Sequence, residues 1–321
     1  EDIDKILERF APSAIEPFKI GESIYALPEQ QWFDMMFYRK DVLEEIGVNP
    51  PDTWDDLYSI LPVLQRNYMD IGLPSPVNIV AGGPLNSAFM MLLYQMDGEV
   101  YDEDRRRCIL DNETGINAFT KWTELYTKYK LPLRMDILTR FRVGEAPIVI
   151  APYTFYNALT IASPEIRGLW EMSPVPGRRL NNGTVRREVS SYVTGTIMFE
   201  NARDPQAAWD FMKWWTRSDT QVAYGREMEA LLGPSARWPT ANLEAMWELP
   251  WPTKDANSIR EQWQWVRAVP EVPGGYYTGR NVDNAIRTVI NQGKNPRETL
   301  LDFVELINDE IIIKRREFGL E

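Results

Sequence analysis

The 321-residue chain contains no histidine and a single cysteine, Cys108. Without histidine there is no Ser/His/Asp triad, no Cys/His pair and no His-ligated zinc, so any enzyme here would work with carboxylates, lysine or tyrosine. One cysteine allows no internal disulfide. That leaves the compartment open, because large exported proteins also do without disulfides when their cores suffice. Positive charge is scarce: 35 Lys and Arg against 47 Asp and Glu give a net charge of -12. Such a surface repels phosphate backbones and anionic lipid heads, which excludes nucleic acid and a membrane surface as expected partners. No apolar run approaches the ~20 residues of a membrane span. The start, Glu1-Asp2-Ile3-Asp4, has neither the basic nor the apolar stretch of an export signal. With no initiator Met, and with Ile3, Ile6, Leu7 and Phe10 leading straight toward a strand, the beginning reads as the middle of a longer protein. No cofactor is expected and no metal cluster stands out. Asp102-Glu103-Asp104 is a short acidic run without EF-hand spacing and reads as a solvated loop rather than a calcium site.

What the chain has is flat apolar surface: 12 Trp, 14 Tyr and 12 Phe. Aromatics without the usual catalytic side chains point to capturing a ligand rather than transforming it. The length suits two domains with real cores. Ile24–Pro28 and Met35–Tyr38 read as short strands around the polar and aromatic stretch 29–34. Asp41 is expected to cap a short helix that Gly47 ends. Thr53 and Asp56 form a capping box for a helix carrying Leu57, Ile60, Leu61 and Leu64, with Pro62 inside it. Ile116, Phe119, Trp122, Leu125, Tyr126 and Tyr129 share a helical face opened by Asp111 or Asn112. Residues 147–151, 169–175 and 193–199 read as strands. Asp204-Pro205 starts a helix whose buried stripe is expected to be Ala207, Ala208, Phe211, Met212 and Trp215. Residues 230–275 look mostly irregular, and two helices, stopped by Gly293 and started by Pro296, end the chain. The alternation predicts an α/β layered fold with a largely parallel sheet.

Four stretches carry a family resemblance. They are Tyr25-Ala26-Leu27-Pro28 with Phe37–Gly47 and Pro51–Leu57; Gly144–Ile150 with Trp170–Pro176; Ser190–Phe199 with Asp204–Trp215; and Ala285–Asn291. In that order they resemble the extracellular solute-binding proteins of ABC-type sugar importers, family 1, the group that includes maltose-binding protein. The resemblance implies a two-lobe periplasmic-binding-protein type II fold with interwoven lobes. One lobe, from 33–186 and 251–321, is expected nearly complete; the other, from 1–32 and 187–250, lacks its N-terminal part. It also implies export, a lipid anchor, an ABC permease as membrane partner, and a missing N-terminal segment of the same protein as a further partner.

A saccharide presents hydroxyls around C–H patches, so its site needs aromatic faces and planar polar groups. Such sites lie at strand ends between lobes that close about a hinge. Tyr153 stands where the family usually has a stacking Trp, with Tyr156 beyond it. Gln30, Gln31 and Trp32 lie at the first crossing between lobes. Ser191 and Tyr192 open the second, and Arg237 with Trp238 follow Gly233-Pro234. Tyr276, Tyr277 and Arg280 precede the penultimate helix, and Asn86 closes the run from Gly82. Trp54, Trp122, Trp170, Trp209, Trp214 and Trp215 are expected to be structural. The function expected is capture of a sugar or oligosaccharide without chemistry. Two other classes stay open: a glycoside hydrolase using a pair among Glu29, Glu171 and Glu188, and an interaction module presenting 230–275.

Overall fold

The computed structural model describes residues 3–75 and 85–320. Gly82, Gly83 and Pro84, named above with Asn86, lie outside the described residues. The strands that matter for the site are β1 (Leu27–Arg39), β2 (Ile71–Gly72), β3 (Ile148–Pro152), β4 (Trp170–Ser173), β5 (Val189–Thr196) and β6 (Val266–Arg267). The helices around them are α1 (Trp54–Arg66), α2 (Ser87–Gln95), α3 (Glu113–Thr127), α4 (Pro205–Trp215), α5 (Ser218–Leu232), α6 (Thr253–Trp263), α7 (Gly275–Gln292) and α8 (Pro296–Glu317).

One six-stranded sheet runs in the order β6-β5-β1-β3-β2, with β4 also pairing to β1. The sheet is mixed, not largely parallel: β1 is antiparallel to β3, β4 and β5, while β5–β6 and β2–β3 are parallel. The cause is β1 itself. Stretch 29–34, expected as a loop between two strands, is the middle of a single strand of 13 residues. Its first half pairs with β5, from Leu27 opposite Thr196 to Phe33 opposite Ser191. Its second half pairs with β3 and β4, Phe37 facing Val149 on one side and Met172 on the other. A register shift lies between Pro28 and Gln30.

Apolar packing forms two clusters. The large one gathers Phe33–Phe37 of β1, Ile148–Ala151 of β3, nearly all of α2, the Phe119 and Trp122 face of α3, and the buried sides of α7 and α8. Phe89, Phe119 and Trp122 meet ring to ring, with Phe89–Trp122 centroids 5.3 Å apart, the tilted contacts that aromatic quadrupoles favour. The small cluster holds Ile6, Phe10, Ala14, Leu27, Met212 and Ala241. Its segments are those expected to make the partial lobe.

Local signals explain the helix starts. Thr53 and Asp56 form the expected capping box of α1, and Asn112 caps α3. Gly293 ends α7 with φ of +65°, a conformation cheap only for glycine. Three expectations change. Asp41 is not a cap but lies in the first turn of its helix, where it takes a two-pronged hydrogen bond from Arg39 at 2.8 and 2.7 Å. Region 230–275 holds two helices, Leu243–Glu248 capped by Asn242, and α6. The stripe on α4 is largely uncovered: of its residues only Met212 is buried, and Phe211 is 54% exposed. Trp214, expected in a core, is also exposed, because the small cluster contacts only one side of α4. Among the described residues no helix is long and apolar enough to cross a membrane.

Candidate functional site

Side chains two apart on a strand share a face, so Gln30, Trp32 and Asp34 point to one side of β1 and Gln31, Phe33 and Met35 to the other. β5 sets Tyr192 opposite Trp32, and the two rings lie 6.1 Å apart, inclined by 19°. This half-buried pair floors a cavity of about 470 Å³ whose walls include Ser190, Tyr101, Glu271 and Tyr276. Burial pushes the Tyr192 hydroxyl up to about 12, with the charge of Asp34 adding to it. It therefore stays a neutral donor at physiological pH.

On the opposite face Gln31 is fully buried; its Nε2 is engaged within the protein, while its Oε1 has no hydrogen-bond partner. Its Nε2 donates to the hydroxyls of Ser13 and Ser191 at 3.0 and 3.1 Å, tying the first segment to β5. The Tyr153 hydroxyl donates to the Gln31 carbonyl at 2.8 Å, and the Tyr153 ring has no exposure. Trp251 closes over it with centroids 5.8 Å apart. Gln31 and Tyr153 are shut off from solvent and pin β1 to its neighbours.

A second group surrounds Arg237. Its guanidinium pairs two-pronged with Glu229 of α5, at 3.0 and 2.6 Å, and lies 4.6 Å from the Trp251 ring and 5.5 Å from that of Tyr156. Tyr156 meets Trp170 and Trp251 edge-on, both at 5.3 Å. Arg237 is 9% exposed, so its fork onto sugar hydroxyls is replaced by an internal ion pair stacked on rings. Trp238 gives its indole N–H to Gln221 at 2.8 Å and packs on Tyr224. Gln30 is half-buried and bridges to Thr240.

The remaining candidates divide. Tyr276 reaches the cavity wall, half-exposed, and donates to Glu310 at 3.0 Å. Tyr277 stands beside it with centroids 6.2 Å apart, and Arg280 is exposed further along α7. Asn86 is the cap of α2: its side chain accepts the N–H groups of Ala88 and Phe89. The structure thus brings Trp32, Ser191, Tyr192 and Tyr276 to one cavity, whereas Tyr156, Arg237 and Trp238 belong to packed joints. Sequence reasoning missed Asp34, Tyr101 and Glu271. For Asp34 the signal was present, two residues after Trp32, once 29–34 is seen as strand.

The carboxylates weighed for hydrolysis have separate partners. Glu29 accepts from Trp215 at 3.1 Å, Glu188 pairs with Arg186 at 2.5 Å, and Glu171 with Lys40 and Lys254 at 3.1 and 2.6 Å. Nothing pairs them for acid and base roles. Among the described residues no group of His, Cys, Asp or Glu is arranged to hold a metal; Asp102 instead accepts the N–H groups of Arg106 and Arg107 in a turn.

Comparison with known proteins bears on the family and the fold. The chain is 26% identical over 219 residues to a maltotriose-binding protein of Pyrococcus abyssi, covering 66% of this chain and 44% of that protein. It is 21% identical over 226 residues to an arabinooligosaccharide-binding protein of Bacillus subtilis, covering 65% and 48%. The matched region spans less than half the length of each. Among solved structures, the sugar-binding protein MalE of Xanthomonas citri superposes with a TM-score of 0.78 at 16% identity, over 98% of this chain and 77% of that one. A solute-binding protein of Thermotoga lettingae gives 0.71 at 18%, over 95% and 76%. These likenesses establish the two-lobe binding-protein fold. The model of the bacterial extracellular solute-binding proteins matches residues 1–236, and the chain belongs to that family of binding proteins.

Proposed function

We propose that this chain is the ligand-capturing part of an exported carbohydrate-binding protein that serves an ABC-type importer, taking up a sugar or oligosaccharide and leaving its bonds intact. The observation that carries the reading is the Trp32–Tyr192 pair flooring a cavity rimmed by Ser190, Glu271 and Tyr276. Two rings desolvate the C–H face of a pyranose while hydroxyl and carboxyl groups meet its edges. The maltotriose and arabinooligosaccharide names of the relatives point the same way. The family is extracellular by description. A lipid anchor and a permease partner go with this proposal, as does a further segment of the same protein.

That segment is suggested by exposed apolar side chains within 187–250. Ile197, Met198 and Phe199 after β5, Phe211 and Trp214 on α4, and Leu231 and Leu232 at the end of α5 are 42–71% exposed. Phe211 and Trp214 touch each other, with ring centroids 5.5 Å apart, and exposed apolar surface of this kind suits a face that another chain segment covers. On this reading 1–32 and 187–250 form the smaller lobe, and 33–186 and 251–321 the larger.

Calorimetric titration with maltotriose, arabinotriose and tagatose, with chromatography of the sugars afterwards, tests the function. One-to-one heat without product is the expected outcome. Product formation, or no heat with any sugar, overturns it.

A further inference from the structure

Asp34 continues the row of Gln30 and Trp32 on the cavity side of β1, across from Pro152 of β3. It is 1% exposed. The Ser87 hydroxyl, at the first position of α2, is hydrogen-bonded to it, while its Oδ2 has no hydrogen-bond partner. Tyr192 of β5 is the titratable group that faces it. No cation is arranged to neutralise it among the described residues, and burial holds its carboxyl up to about 6.

A buried acceptor with no donor is unfavourable, and native structures keep few of them. Here the isosteric amide would remove the charge and keep the shape. An ionisable, half-satisfied carboxyl beside a pair of stacked rings fits a site that sacrifices stability for recognition. A carboxylate only accepts, so the group it can bind is an O–H or N–H donor. Resting on the carbohydrate reading above, we propose that Asp34 is the specificity-determining acceptor of the cavity, receiving a hydroxyl hydrogen bond from a neutral saccharide seated against Trp32 and Tyr192. Asp34 lies behind the cavity lining, against Tyr192, with Oδ2 shielded, and a rotamer change of the kind common on binding brings it to the ligand. The same charge disfavours acidic sugars.

The test is calorimetry of the chain and of Asp34→Asn with maltotriose and arabinotriose between pH 5 and 8. The wild type is expected to bind a neutral sugar and to weaken as pH falls through about 6, where the acceptor takes up its own proton. Asp34→Asn is expected to bind about 10- to 100-fold more weakly at pH 7.5, the range for losing a hydrogen bond to a charged group, with a flat pH profile. A circular dichroism melt verifies that the variant is folded. Equal affinity and the same pH profile in both proteins overturn the role of Asp34 while leaving the cavity reading intact. Absence of binding by the wild type to either sugar at every pH overturns the cavity reading and this inference with it.

Discussion

The two apolar clusters share β1 yet differ in completeness. In the large one, Trp122, Tyr94 and Phe119 are at zero exposure and touch elements far apart in sequence. In the small one, the six buried residues are Ile6, Phe10 and Ala14 of the first stretch, Leu27 of β1, Met212 of α4 and Ala241, while neighbouring Phe211 and Trp214 face solvent. Burial, not composition, separates them. Equally apolar helices contribute stability in proportion to the surface removed from water, at roughly 25 cal/mol per Å², and α4 removes little. The difference teaches that the cavity is built where a well-packed unit meets a lightly packed one. Polar links cross that seam: the Tyr153 hydroxyl to the Gln31 carbonyl, and the ion pair of Glu16 with Arg105.

Substitutions can break or sharpen this contrast. Trp122→Ala, in the complete core, is expected to cost about 4 kcal/mol in urea unfolding; a cost under 1 kcal/mol would show that the large cluster is not the stabilising unit. Asp34→Asn acts in the opposite direction. A carboxyl whose pKa is higher folded than unfolded holds more protons in the native state, so stability falls as pH rises from about 4 to about 6. The amide is therefore expected to be more stable at pH 7, by up to ~3 kcal/mol for about two units, with the gain vanishing near pH 3. A variant that melts earlier than the wild type at pH 7 contradicts this. Gln31→Ala is expected to cost about 2 kcal/mol, since it removes the donor shared by the Ser13 and Ser191 hydroxyls. It should also speed hydrogen exchange in 3–27 without changing α3. Trp214→Ser, on the open side of α4, should shift stability by no more than about 0.5 kcal/mol and raise solubility. A larger loss would mean that this ring is already covered.

Much of the fold was legible because caps and periodicity are local. Thr53 with Asp56, Asn112, Asp204 and Gly293 each act within one turn, and each does what its chemistry suggests. The crossing strand was not legible, since Gln31 and Asp34 are polar residues buried against distant partners, Ser191 being 160 residues from Gln31 and Ser87 lying beside Asp34. The site followed the same division. Trp32 and Tyr192 were readable as ring candidates, but Tyr153 was expected to be open because nothing in sequence shows Trp251 lying over it. Arg237 is likewise spent on Glu229 eight residues earlier, a pairing that exists only because α5 ends in a turn at Gly233. The stripe on α4 was correctly apolar and incorrectly buried: pattern shows which face wants cover, not whether cover is there.

The unbroken run of β1 through both units has a mechanical consequence. Neither unit can drift from the other by slackening a tether, because the connection is itself a hydrogen-bonded rib of the sheet. Any swivel must be taken up as twist along that rib, and the one irregular place on it lies at Pro28–Gln30, a few ångströms of chain before the ring that floors the cavity.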